Sequence, residues 1–507
     1  MKNLTDTREK RAKFNIMCSL IGQLVTLLCG LIIPQLMIKR FGSEAYGATT
    51  SISQFMAYIS LLEGGIGGVA RAALYKPLAD NNIHVISEIL AEIKNFFRIV
   101  AYIFIIYVII LSCTFKTISH IECMDWFSTF LLVIVISLST FAQYFVGISY
   151  SVLIQAAQRT YIMSLISIST VVLNTIFVII LVDFGSNLTI VKFVSSCVFV
   201  LRPFLMCIYV RREFSLVKCN KSNKTYLSQK WSGLGQHIAF FLYSNTDIAI
   251  LTIFADLRMV AVYSVYYMVV SQIENLIASF SSGMEAVFGD MLVKNEMEEL
   301  HKTFNYYEIM ISVISTILFS VTAVLIVPFV RIYTENVSDT NYIAPTFSLL
   351  LILSSYVACL RKPYHNLIIA AGHFKQTQIA AYGEAIINIG LSVVLVIYFG
   401  LIGVAIGTLV ATTFRLLYYA FYLSTHIFNR RIIFFIRCEI KNTTIFVLVY
   451  IIGKMISNLV DLKDYVIWAK CGVIMTLIAI LITIIGNFTF YKYDLKVILT
   501  KQMINKL

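Results

Sequence analysis

The stretch Val100-Ala101-Tyr102-Ile103-Phe104-Ile105-Ile106-Tyr107-Val108-Ile109-Ile110-Leu111 carries no charge and has no polar face at any period. A barrel strand through a membrane alternates apolar and polar residues, and a surface helix of a soluble protein keeps a polar side. Phe127 to Leu138 has the same character. Both stretches therefore read as helices surrounded by apolar material on all sides. The whole chain agrees, being 59% hydrophobic and only 13% charged over 507 residues. Soluble domains run near ~45–50% apolar and ~25% charged, so a water-soluble architecture, intrinsic disorder, a disulfide scaffold and a collagen-like fibre are all excluded. The expected fold class is an all-α polytopic membrane protein.

A helix needs roughly 20 mostly apolar residues to cross the hydrocarbon, because its backbone polar groups must be satisfied within the segment. On that criterion the sequence holds about fourteen spans. They lie near residues 14 to 38, 48 to 70, 95 to 113, 126 to 150, 161 to 183, 188 to 210, 232 to 254, 259 to 284, 305 to 330, 344 to 360, 376 to 399, 401 to 424, 443 to 460 and 465 to 491. The last two contain Lys454 and Lys470, which sets them apart from the first twelve. The first span is too long for the apolar region of a cleaved signal and is read as permanent.

Most of the 40 Lys and Arg cluster in alternate connections, including the basic start and the segment Arg211 to Lys230. This positive-inside bias predicts that both termini are cytoplasmic. It also accounts for the net charge of +13 without a nucleic-acid partner. Of the ten cysteines, Cys18, Cys29, Cys197, Cys207, Cys359 and Cys471 fall inside spans as small apolar packers. Cys113 and Cys123 flank an outward loop, either as free thiols or as a disulfide.

The chain also resembles itself. Tyr150 to Asn174 contains Ala156-Ala157-Gln158-Arg159, and Tyr364 to Asn388 contains Ala370-Ala371-Gly372-His373 at the same places. Both stretches run on to a glycine break, at Asp183-Phe184-Gly185 and Tyr398-Phe399-Gly400. A weaker match joins Phe41-Gly42 through Tyr46-Gly47 to Phe254-Ala255 through Tyr263-Ser264. The expected organisation is an N-terminal lobe of six spans (1–212), a basic linker (213–231), a second six-span lobe (232–426) and two further spans in 427–507. Six is even, so the lobes would be parallel repeats, an arrangement used for alternating access.

Signatures of catalysis are missing. There is no glycine-rich phosphate loop, the nearest fragment being Gly453-Lys454 inside a span. Zinc-ligand spacing and a serine-nucleophile elbow are absent, and the seven histidines are scattered. The expectation is a transporter that is not an enzyme and needs no cofactor or metal.

Ionisable groups inside spans are then the informative residues, since each costs several kcal/mol unless it meets a partner or water. Span two reads Glu63-Gly64-Gly65-Ile66-Gly67-Gly68-Val69-Ala70-Arg71. Its glycines suit either a bent segment lining a cavity or tight helix packing with Arg71 snorkelling to the headgroups. Asp247 follows Ser244-Asn245-Thr246 in span seven. It is a candidate for proton or Na⁺ coupling, or part of a polar cluster that bends the helix. Arg202 and Arg415 occupy corresponding places in spans six and twelve. Each suits a phosphate through bidentate hydrogen bonds, or a structural pairing such as Arg415 with Glu384. Glu63, Glu274 and Glu384 are further candidates for ion coupling.

Pro34 with Phe41-Gly42-Ser43-Glu44-Ala45-Tyr46-Gly47, Asn245-Thr246-Asp247 with Tyr263, and Ala370-Ala371-Gly372-His373 together resemble the Wzx-type O-antigen flippases. These form part of the polysaccharide transporter group of the multidrug/oligosaccharidyl-lipid/polysaccharide exporter superfamily. The resemblance covers most of residues 14 to 424. It implies a two-lobed transporter with a cationic cavity, moving undecaprenyl-diphosphate-linked oligosaccharide across the bacterial inner membrane with an H⁺ or Na⁺ gradient. It implies a glycan polymerase and a chain-length regulator as partners. It gives weight to Arg71 and Asp247 over Arg202 and Arg415. Two rival readings are a multidrug/cation antiporter of the same superfamily and an integral-membrane glycan polymerase or ligase.

Overall fold

The structure is a computed structural model that describes residues 8–63, 66–217, 234–281, 283–428 and 431–504. Residues 218–233, which hold most of the basic linker, lie outside the described residues. The described residues contain helices and no strand. The chain divides into two compact units, Met1–Ser264 and Val265–Leu507.

The first unit contains α1 (Arg8–Phe41), α2 (Ser43–Ala57), a 3₁₀ turn (Tyr58–Glu63), α3 (Ile66–Ala79) and α4 (Ile83–Ser119). It continues with α5 (Trp126–Ala142), a π-turn (Gln143–Gly147), α6 (Ile148–Ala156), α7 (Thr160–Asp183), α8 (Leu188–Glu213) and α9 (Leu234–Phe254). The unit boundary falls inside α10 (Leu257–Ser281). The second unit adds α11 (Met284–Val293), α12 (Met297–Tyr333), α13 (Pro345–Leu360), α14 (Lys362–Ala370), α15 (Phe374–Phe399), α16 (Leu401–His426), α17 (Ile433–Leu459) and α18 (Tyr465–Ile504).

Helix starts are set by local chemistry. Asn82 and Asn187 cap α4 and α8 by accepting from Val85 N at 3.2 Å and Ile190 N at 2.9 Å. Each satisfies one of the amides that a helix leaves without an internal partner. Along Val100 to Leu111, one side of α4 is buried (Val100, Ala101, Phe104, Val108, Leu111), and the other exposes Ile103, Ile106, Ile109 and Ile110. The exposed side is as apolar as the core, so lipid is the medium that suits it.

Among the described residues ten helices are long and apolar enough to cross a membrane. This is a multi-pass membrane protein. A helix also stands at each of the remaining positions expected from sequence. The second of these is interrupted, as α2, the 3₁₀ turn and α3; the others are α9, α13 and α17.

The duplication is visible in the packing. In the first unit α4 packs on α5, α5 on α8, and α7 on α8; in the second, α12 packs on α13, α13 on α16, and α15 on α16. It is visible in the backbone too. Asn81 (φ 51°) and Gln158 (φ 58°) take left-handed conformations, as do Asn295 (φ 58°) and Gly372 (φ 72°) at the corresponding places. Repeat and compact unit do not divide the chain alike. By sequence α9 belongs to the second repeat, yet it packs inside the first unit against α2 and α4.

Candidate functional site

In the first unit the interruption of the second span positions two predicted residues. Glu63 closes the 3₁₀ turn and accepts a hydrogen bond from Tyr144 on the π-turn. Arg71 on α3 donates to Gln155 Oε1 on α6 at 2.6 Å. A Cβ added at Gly67 or Gly68 would meet nothing within 4 Å. Close helix packing is therefore not what these two glycines serve; before them the α-helix gives way to the 3₁₀ turn at Tyr58–Glu63.

α6 collects more cations than the sequence reading named. Lys94 on α4 donates to the Tyr150 hydroxyl at 2.9 Å, with its Nζ 4.4 Å from the ring centre. Arg211, at the end of α8, lies beside Tyr150. The π-turn before α6 lodges an extra residue in one turn, which re-aims the side chains that follow, a device common at functional sites. Arg71 and Lys94 thus rest on a neutral amide and a neutral hydroxyl. Neither forms an ion pair among the described residues.

Arg202 lies elsewhere in the unit. Its Nε donates to Thr170 Oγ1 on α7 at 2.7 Å, and its guanidinium sits 4.5 Å from the Phe199 ring. Asp247 on α9 is buried and accepts from the Tyr263 hydroxyl on α10 at 3.0 Å. Beside it runs a seam between α2 and α9. There Ser51 and Thr252 share a hydrogen bond of 2.7 Å and Gln54 bonds the Asn245 side chain, while Gly47 of α2 packs against the Leu257 carbonyl at the start of α10.

In the second unit Glu384 is fully buried and pairs with both Arg415 and Arg361. Tyr419 accepts from Arg415 Nε at 3.0 Å and from Nη2 at 2.8 Å, and its ring stacks on His365 at 5.9 Å. Glu274 lies near Ser355, Lys362 and Arg361. The structure thereby joins two predicted residues, Arg415 and Glu384, in one buried network and leaves Glu274 at its edge. A buried carboxylate held by two guanidiniums is costly to break, which suits a structural role.

The residues that the sequence reading missed are Lys94, Tyr150, Gln155, Arg211 and Arg361. Lys94 and Arg361 sit just outside the expected span ends, where a cation reads as a topology signal. Tyr150 was visible only as the start of the repeated stretch.

No family model matches the chain, and no curated protein does. Solved structures do. One called lipid II flippase MurJ, in an inward closed conformation, is similar over 95% of this chain and 100% of its own, with a TM-score of 0.67 at 17% identity. A MATE family multidrug resistance transporter of the MOP superfamily, inward-facing, is similar over 80% of this chain and 98% of its own, with a TM-score of 0.60 at 15% identity. The MATE transporter DinF-BH is similar over 84% and 98%, with a TM-score of 0.58 at 16% identity. The chain has the fold of these transporters.

Proposed function

We propose that the protein is a flippase for undecaprenyl-diphosphate-linked oligosaccharide, an O-antigen or capsule unit, working by alternating access in the bacterial inner membrane. The observation that carries this reading is the convergence of Arg71 and Lys94 on the neutral groups of α6, with Arg211 beside Tyr150. Cations held by neutral partners keep their charge for an incoming anion, and a guanidinium can grip phosphate oxygens in pairs. A lipid diphosphate needs such a shelter to cross about 30 Å of hydrocarbon. The fold shared with a lipid II flippase supports the same reading.

In this proposal all fourteen segments span the membrane, both termini are cytoplasmic and the protein catalyses no covalent chemistry. Substrate cations are Arg71, Lys94 and Arg211, with Arg202 supplementary; Arg415 serves the buried network. The coupling ion, H⁺ or Na⁺, acts at Asp247, Glu63 or Glu274. The membrane potential supplies about 2.3 kcal/mol per charge per 100 mV.

The test is deletion of the gene with leaflet-resolved assay of lipid-linked glycan, followed by complementation with wild type, Arg71→Ala and Lys94→Ala. The expected result is repeat units trapped on the cytoplasmic leaflet, rescued by wild type and by neither variant. Flipped single units that fail to polymerise would indicate a polymerase. Normal glycan with lost drug resistance would indicate an antiporter.

A further inference from the structure

Lys454 is out of place in an apolar helix, and neither the repeat nor the proposed substrate site uses it. It lies on α17 five residues before the helix ends at Leu459, roughly 7.5 Å below that end. Arg331 sits in the last turn of α12. The two cations line one cavity of about 210 Å³ between α12, α13 and the α17–α18 connection. Ser348, Ser457 and Asn458 add hydrogen-bonding groups, while Ala323, Val324 and Val327 form an apolar wall.

The cavity has a physical origin. Gly453 lets α17 approach α12 so closely that a Cβ there would lie 2.8 Å from Val324 Cγ2. The helices are pinned together at that level. Trp468, at the start of α18, fixes the far side by donating to the Leu325 carbonyl at 3.0 Å.

The charge balance favours an anion. Asp461 also lines the cavity, but it is exposed and paired with Lys463 at 2.5 Å, so the lining sets two cations against one carboxylate. Among the described residues Lys454 has only the Tyr450 ring, 5.9 Å from its Nζ, and Arg331 is in no ion pair. Two cations, hydroxyls and an amide above an apolar wall match a phosphate ester that carries a hydrocarbon chain. The volume is several times the ~30 Å³ of one water in the liquid.

We infer that this cavity is a binding site for the phosphate headgroup of a membrane lipid, gripped by Arg331 and Lys454, with the chain running down the Val324–Val327 wall. It is separate from the substrate cations of α3, α4 and α8, and it stands whether or not the flippase reading does.

The experiment is native mass spectrometry of the detergent-solubilised full chain titrated with dioleoyl phosphatidic acid. Lys470 is the internal control, since it is an exposed lysine near the start of α18 that lines no part of the cavity. Wild type, Lys470→Ala and Lys454→Arg should retain one lipid tightly. Lys454→Ala and Arg331→Ala should each weaken retention roughly tenfold, the loss of one charge-assisted hydrogen bond. Equal weakening by Lys470→Ala would mean generic snorkelling and would overturn the proposal. Undiminished binding in both cavity variants, or equal retention of dioleoyl phosphatidylcholine, would overturn it as well. Inorganic phosphate that binds alone and displaces the lipid at comparable concentration would reassign the site to the free anion.

Discussion

Lys94 donates to the hydroxyl of Tyr150, and at the corresponding places of the second unit Tyr364 donates to Glu308. The tyrosine and the helix pair are kept while the charge reverses. Two other contacts repeat in the same way. Arg202 bonds Thr170 and Arg415 bonds Glu384; Arg159 donates to the Tyr209 hydroxyl at 2.8 Å, and His373 Nδ1 meets the Tyr422 hydroxyl at 3.0 Å. Each pair joins helices that pack together in both units, so the duplicated sequence is also a duplicated set of cross-helix contacts.

The first prediction compares two of these pairs. Glu384→Gln strands Arg361 and Arg415 in a buried place, so it should cost about 3–5 kcal/mol. Thr170→Ala removes one hydrogen bond to a half-buried arginine and should cost about 1–2 kcal/mol. Thermal unfolding of both variants in the same detergent checks the order. Equal midpoints would remove the structural role assigned to Glu384.

Gly47 carries the second. A Cβ there would lie 1.9 Å from the Leu257 carbonyl oxygen, and backbone cannot step aside as a side chain can. Gly47→Ala should therefore force α2 off α10 and destabilise the first unit by about 1–3 kcal/mol. A lowered unfolding midpoint is the expected outcome, and an unchanged one would mean that the close approach does not persist in the membrane.

Gln158 invites a gain in stability. It holds φ at 58°, where Gly372 stands in the second copy. A side chain in that region costs roughly 1 kcal/mol relative to glycine. Gln158→Gly should raise the unfolding midpoint, while Gly372→Gln should lower it by a similar amount.

Outside the spans, Glu44 at the start of α2 accepts from the amides of Glu122 at 2.5 Å and Cys123 at 3.1 Å. Partial burial and this carboxylate push the Cys123 thiol up to about 11. Cys113 and Cys123 are both free thiols in the structure. The raised value means that little thiolate exists near neutrality and that reactivity grows as pH climbs towards the shifted value. In a Cys113→Ser background, iodoacetamide labelling of Cys123 should be slow at neutral pH. It should speed up with alkalinity and in Glu44→Gln. Rapid labelling at neutral pH would contradict the shift.

Much of the fold was legible because a membrane helix announces itself by length and hydropathy. The Arg415–Glu384 pairing was one of two readings open from sequence. Two features were not legible. The π-turn at Gln143–Gly147 has no composition signal, since it depends on how α5 and α8 pack, and it decides where Tyr144 and Tyr150 face. The roles of Lys94 and Arg361 were hidden because a cation at a span end looks the same whether it meets headgroups or folds back onto a neighbouring helix. The grouping of α9 with the first unit is a tertiary outcome that the repeat argues against.

The reversal of sign between Lys94 and Glu308 bears on how such a scaffold can be retuned. One residue per copy changes the electrical character of a polar pocket while the tyrosine beside it and the helices that carry it stay as they were. A new charge preference can then arise by editing a single position in one half, with no cost to the architecture that both halves share.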